Sequence, residues 1–140
     1  MAGESTRKGS MTAKLLLHDE VKPAEAIVLA LIDAGVNTVF GLPGSWTVPI
    51  FGALHHHRDA VRTVLVREES RAGIMAEVHS RITGRPAVCM GQGAFMTHAS
   101  IGLIEALQSS TPMLLLSELA DSSPYEFDGA QASGTGAYGS

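Results

Sequence analysis

TVLVREESRAGIMAEVHSRITGRPAVCM, residues 63–90, reads as one complete strand–helix–strand unit. Thr63 to Val66 is a short apolar run rich in β-branched residues, and Ala87 to Met90 is a second one. Between them, Glu69 to Arg81 has helical composition, and Gly84 stands where a helix ends in a left-handed residue. Both runs are continuously apolar instead of alternating, which suits strands buried on both faces. Two such strands joined by a helix run parallel in a sheet, because the crossover returns the chain to the same end of the sheet.

The same alternation continues in both directions. Upstream, Thr38-Val39-Phe40 is a strand that stops at Gly41-Leu42-Pro43-Gly44, with a helix expected from about Trp46 to His56. Before it, Ala24, Ile27, Val28 and Leu31 recur at helical spacing, Pro23 suits a first turn and Gly35 suits a stop, which predicts a helix over Pro23 to Ala34. Downstream, a helix from about Thr97 to Ser109 leads into a strand at Met113 to Ser117. The pattern predicts a single α/β domain over residues 21–117, doubly wound, with a mostly parallel sheet and helices on both faces. Residues 1–20 are expected to be a flexible leader, partly a cloning remnant around Gly9-Ser10, and residues 118–140 a Gly/Ser-rich loop or the cut end of the same domain. In such sheets ligands bind beyond the carboxyl ends of the strands. The turns at Gly41 to Gly44, Arg67 to Ser70, Gly91 to Phe95 and Ser117 to Ala120 are therefore where function is sought.

Composition narrows the classes. Of the 140 residues, 45% are hydrophobic and 17% charged, and only 5% are aromatic, so the core is built from aliphatic side chains and alanine. A net charge of −4 without a Lys/Arg cluster argues against nucleic-acid binding. Apolar runs of a few residues fall far short of a bilayer span, so a soluble, cytoplasmic protein is expected. Cys89 is the only cysteine, which excludes an internal disulfide, and its flanks Val88 and Met90 predict a buried thiol. His55-His56-His57 do not share one helical face, so they read as a solvated cluster at a helix end, and no metal ligand is assigned.

The chemistry centres on Arg67-Glu68-Glu69-Ser70-Arg71-Ala72, where two carboxylates open a helix at a strand end. Acidic first turns commonly do no more than complement the helix dipole. Here small residues follow, Ala72, Gly73 and Ala76, which would let a neighbouring helix or subunit approach closely, and then Arg81-Ile82-Thr83-Gly84-Arg85-Pro86.

From about Pro23 to Ser117 the chain resembles the N-terminal, pyrimidine-binding domain of thiamine-diphosphate enzymes of the acetolactate synthase and 2-oxo acid decarboxylase group. The family's Phe-Gly-x-Pro-Gly corresponds to Phe40 to Gly44, its Glu-x-x-Ala to Glu69 and Ala72, and its Met-Ala and Arg-x-Thr-Gly-x-Pro to Met75-Ala76 and Arg81 to Pro86. Thr97, Gly102, Leu103, Ala106, Ser110, Pro112 and Met113 also fall where that family places the same residue types.

The resemblance implies that Glu69 is catalytic. Its carboxyl would hydrogen-bond a ring nitrogen of the cofactor's aminopyrimidine and favour the imino tautomer that takes the thiazolium proton. It further implies cofactor contacts from Pro43, Gly44, Gly93, Ala94 and His98, a 2-oxo acid substrate, and an assembly of at least a dimer. The diphosphate and Mg²⁺ would be held by a second domain or subunit, since no Gly-Asp-Gly signature occurs in these residues. Two departures from the family stand out. Glu68 and Ser70 replace the usual His and Gln beside the catalytic Glu, and Gly93-Ala94-Phe95-Met96-Thr97-His98 replaces Gly-Pro-Gly-x-x-Asn.

Two other readings fit parts of the pattern. Gly91-Gln92-Gly93 between a strand and a helix, with Glu118 beyond the next strand, has the parts of a dinucleotide-binding βαβ unit, although Met96 stands at its third glycine. A non-catalytic oligomerisation module would keep the fold without the chemistry.

Overall fold

The computed structural model describes residues 21–44 and 47–117. The predicted leader, residues 1–20, and the predicted terminal loop, residues 118–140, lie outside the described residues, as do Ser45 and Trp46.

Helix α1 spans Pro23–Asp33, with Pro23 where a missing N–H costs nothing and Glu25 in the first turn. It closes on Gly35 at φ +86°. There the Gly35 N–H bonds the Ile32 carbonyl and the Val36 N–H reaches back to Leu31, each at 3.0 Å. This is a Schellman closure, and its two apolar ends, Leu31 and Val36, both enter the core.

There follow β1 (Thr38–Gly41), α2 (Val48–His56), β2 (Arg62–Leu65), α3 (Glu69–Thr83) and β3 (Ala87–Gly91). A 3₁₀ helix (Gly93–Ala99), α4 (Ser100–Ser109) and β4 (Met113–Ser117) complete the described chain. Gly84 ends α3 at φ +67°, as the sequence pattern predicts.

Two expectations shift. Helix α2 begins at Val48, not Trp46, after a turn closed by Thr47. The expected single helix from Thr97 is instead a tight 3₁₀ stretch that runs into α4 at Ser100. The buried Met96 side chain lies against Gly91 within that stretch.

The strands lie in the order β2-β1-β3-β4, and every pairing is parallel. From β1 the chain steps outward through α2 to β2, then α3 carries it back across β1 to β3. Right-handed crossovers running in opposite directions place their helices on opposite faces. The core divides accordingly. Val39, Val88 and Met90 pack with Val28 of α1 and Leu54 of α2, whereas the alternate residues Phe40, Ala87 and Cys89 pack with Ala72 and Ala76 of α3.

Every residue of β1 and β3 is buried. The outer strand β2 departs from the expectation of two-sided burial, because Leu65 is 64% exposed. Burial is complete at Cys89, where desolvation pushes the thiol up to about 12, so it stays neutral and unreactive at ordinary pH. No helix among the described residues is long and apolar enough to cross a membrane.

The small residues of α3 mark a close helix crossing. A Cβ on Gly102 of α4 would lie 2.2 Å from the carbonyl carbon and oxygen of Gly73, and a Cβ on Gly73 would lie 2.5 Å from the Ala99 carbonyl oxygen. The crossing is reinforced beside it. Glu77, itself buried, accepts from Arg81 at 2.6 Å and from the Ser109 hydroxyl at 3.4 Å, and Arg81 also lies 3.7 Å from Glu105 of α4.

Candidate active site

The direction of winding reverses between β1 and β3, and a crevice opens beyond the carboxyl ends of two strands at such a switch point. The two turns here are pressed together. The Leu42 N–H bonds the Met90 carbonyl at 3.1 Å, and a Cβ on Gly41 would lie 2.2 Å from that same oxygen. Only glycine lets the backbones approach this far. Downstream, the buried Thr47 closes the β1 turn, its hydroxyl accepting from the Gly44 N–H at 2.8 Å. Thr47 was not singled out from the sequence, although a threonine three residues past a glycine and just before a helix is a recognisable closing signal.

The acidic pair divides in two. Glu68, extended and exposed, pairs with Arg71 at 3.5 Å in a solvated contact. Glu69, the first residue of α3, is half-buried, and its side chain has no hydrogen bond or ion pair among the described residues. It reaches across the end of β3. A Cβ on Gly91 would lie 3.5 Å from the Glu69 Cγ and 2.5 Å from the Met96 Sδ. Gly91 thus leaves the space that the Glu69 Cγ and the Met96 thioether both approach at the sheet end.

Gln92, next in the chain, escaped the sequence reading. Its side chain lies on Gly44, where a Cβ would meet the Gln92 Oε1 at 2.7 Å and Cβ at 2.8 Å. Half-buried, its carboxamide also has no hydrogen-bond partner among the described residues. The only sequence signal was a polar residue set between the glycines at 91 and 93 just after a buried strand.

The other predicted residues are distributed as follows. Pro43 is exposed in the β1 turn, with Gly44 beneath Gln92. Gly93 opens the 3₁₀ helix at φ +29°, Ala94 follows it, and the Gly93 carbonyl accepts from the Ser117 hydroxyl of β4 at 3.3 Å. His98 is exposed near the end of that helix, and no contact with Glu69 is seen. The structure therefore brings Gly44, Glu69, Gly91, Gln92 and Gly93 together and leaves His98 at the margin. The three histidines of α2 diverge: His55 and His56 are exposed in its last turn, whereas His57 pairs with Glu25 of α1.

This geometry disfavours the dinucleotide reading. A pyrophosphate site needs the N–H groups of an α-helix start directly after the glycine turn. Here that place holds a 3₁₀ helix, and the position of the third glycine is filled by the buried Met96.

Comparison with known proteins agrees. Residues 21–133 match the family described as thiamine pyrophosphate enzyme, N-terminal TPP binding domain. The acetolactate synthase isozyme 3 large subunit of Escherichia coli is 39% identical over 111 residues, 77% of this chain and 19% of that protein. The acetolactate synthase large subunit of Buchnera aphidicola is 37% identical over 111 residues, covering 77% and 19%. A probable 2-ketoarginine decarboxylase of Pseudomonas aeruginosa is 35% identical over 96 residues, covering 68% and 17%. The chain thus spans less than a fifth of the length of these relatives. On the residues it does share with them, this chain belongs to the thiamine pyrophosphate enzymes and corresponds to their N-terminal, cofactor-binding domain.

Proposed function

We propose that this domain supplies the aminopyrimidine-binding half of a thiamine-diphosphate active site, with Glu69 as the activating carboxylate. The enzyme it serves decarboxylates a 2-oxo acid, ligates the resulting acyl carbanion equivalent, or does both. The observation that carries the reading is a half-buried Glu69, without a side-chain partner among the described residues, lying over Gly91 at the switch point of the sheet. When bound, thiamine diphosphate supplies an acidic thiazolium carbon and an electron sink for breaking the bond next to a 2-oxo group.

The residues present suit that cofactor. Glu69 offers a carboxyl with no partner among the described residues, able to hold a proton against a ring nitrogen. Gly44, Gly91 and Gly93 present bare backbone, with Pro43 and Ala94 beside them, so a flat ring can approach closely. Gln92 adds a carboxamide whose donor and acceptor both lack partners among the described residues. Its position suits a contact with cofactor or substrate, and His98, farther out, suits one with substrate.

The reading assigns the diphosphate and Mg²⁺ to a second domain or subunit, in an assembly of two or more copies. An exposed apolar face supports such a partner. Ile74, Val78 and Ile82 of α3 lie in one helical stripe beside Ile101, Ile104 and Leu107 of α4, with Ile82 and Leu107 each 78% exposed. The relatives' names include both an acetolactate synthase and a probable 2-ketoarginine decarboxylase, so the substrate is assigned only to the 2-oxo acid class.

The reading is tested by titrating thiamine diphosphate and NAD separately into the chain combined with its diphosphate-binding partner, in the presence of Mg²⁺. Saturable binding of thiamine diphosphate and none of NAD is expected; the reverse result overturns it. A second measurement addresses Gln92. In the complete enzyme, Gln92→Ala should weaken cofactor or substrate binding roughly five- to tenfold, the worth of about one hydrogen bond, without lowering the melting temperature. Unchanged Kd and KM in that variant would remove Gln92 from the site.

A further inference from the structure

A cavity of about 530 Å³ lies between the first turn of α1 and one side of α2. Its floor follows from helical spacing. Pro49, Gly52, Ala53 and His56 fall at i, i+3, i+4 and i+7 of α2 and so form one stripe, against which Pro23 and Ala24 of α1 stand. The stripe is hollow at its middle, because a Cβ on Gly52 would meet nothing within 4 Å. The lining is apolar except for Lys22, Glu25 and His56, and Glu25 is already held by His57, which fastens α1 to α2 beside the cavity.

Lys22 lines the cavity, so the chain enters α1 from its edge. Upstream lies Lys14-Leu15-Leu16-Leu17-His18-Asp19-Glu20, whose three leucines are the only run of three large apolar residues before α1. Their reach is sufficient. Leu17 is five residues from Lys22, at most about 17 Å of extended chain. The stripe from Pro49 to His56 is about 10 Å long. Charge agrees as well. With the leucines in the cavity, Asp19 and Glu20 reach its rim, where neither Lys22 nor His56 forms an ion pair among the described residues.

We propose that Leu15, Leu16 and Leu17 fill this cavity, so that the segment before α1 acts as a strap across α1 and α2. The strap takes apolar side chains out of water against Pro23, Ala24, Pro49 and Ala53, and it adds a second fastening to the one made by His57 and Glu25. Glu69 does not line the cavity, and the strap stands whatever role that residue has.

The test is methyl NMR of the full chain carrying labelled leucine and alanine. Cross-peaks from the Leu15, Leu16 and Leu17 methyls to those of Ala24 and Ala53 are expected within one chain. Samples that mix differently labelled copies should show none; cross-peaks found only there would put a second copy's segment in the cavity and overturn the proposal. Leu16→Asp should remove the cross-peaks and lower the melting temperature by roughly 5 °C. Gly52→Leu, whose side chain enters the open space of the stripe, should displace the strap with the fold intact. In that background Leu16→Asp should lower the melting temperature no further, because the two sites share one space. Absence of the cross-peaks in the parent chain, or additive effects of the two substitutions, would each overturn the proposal.

Discussion

Replacing Glu69 by glutamine is expected to lower turnover of the complete enzyme by about two to four orders of magnitude, the usual worth of a positioned acid–base group. That corresponds to about 3–5 kcal/mol of barrier. The substitution keeps the size and planarity of the side chain, so its packing across Gly91 should persist and folding should be unaffected. What disappears is an ionisable oxygen that can exchange a proton with the ring nitrogen. The rate at which the bound cofactor exchanges its thiazolium proton for deuterium should fall in parallel with turnover, while assembly and cofactor occupancy stay near normal. Glu68→Gln is the internal control, since Glu68 is solvated and only weakly paired to Arg71. It should leave turnover within about threefold. The assignment would fail if Glu69→Gln retained near-normal turnover, or if Glu68→Gln proved the more damaging of the two.

Gly102→Ala should destabilise the domain by about 1–3 kcal/mol, the usual penalty for overpacking a close contact. Its Cβ would fall 2.2 Å from the carbonyl carbon and oxygen of Gly73 and 2.8 Å from the Ile74 nitrogen. All three atoms are backbone, so no rotamer change relieves the clash and the two helices must separate. Glu69 lies one turn before Gly73 on α3, so the displacement should also carry the Glu69 side chain away from Gly91. A lowered denaturation midpoint with reduced turnover in the surviving folded enzyme is expected. Gly52→Ala provides the contrast: a Cβ there meets nothing within 4 Å, and helix propensity should make it neutral to stabilising, by up to about 1 kcal/mol. If the two variants melted together, the Gly73–Gly102 crossing would not be the constraint it is taken to be.

Both variants bear on how much could be read from the chain alone. The helix ends at Gly35 and Gly84 were legible because a left-handed residue there satisfies local carbonyls, and the rule depends on neighbours only a few positions away. Strands β1 and β3 were legible as continuous apolar runs, and they proved fully buried. Glu69 was picked out through the family resemblance, because a carboxylate that opens a helix after a strand by itself reads as dipole complementation. The reading from apolar runs treated β2 as buried, and its Leu65 is exposed, because an apolar run is no guide to whether a strand lies inside the sheet or at its edge. It also extended a helix back to Thr97, where the chain winds as a 3₁₀ helix with Met96 against Gly91.

Gln92 shows the limit most directly. Its importance rests on Gly44, which lies 48 positions earlier and is brought beside it by the pairing of β1 with β3. The small residues of α3 announced a close approach, and the sequence left open whether a helix of the same chain or another subunit made it; α4 does, at Gly102. The amino-acid sequence by itself determined the alternation of elements, where helices stop and the parallel class of the sheet. Those depend on backbone preference and on periodic burial, both of which act over a few residues. Only the tertiary structure decided the strand order, the separation of Glu68 from Glu69 and the apposition of Gln92 with Gly44. Each of these depends on which crossover lies on which face, and that is settled by packing between segments far apart in the chain.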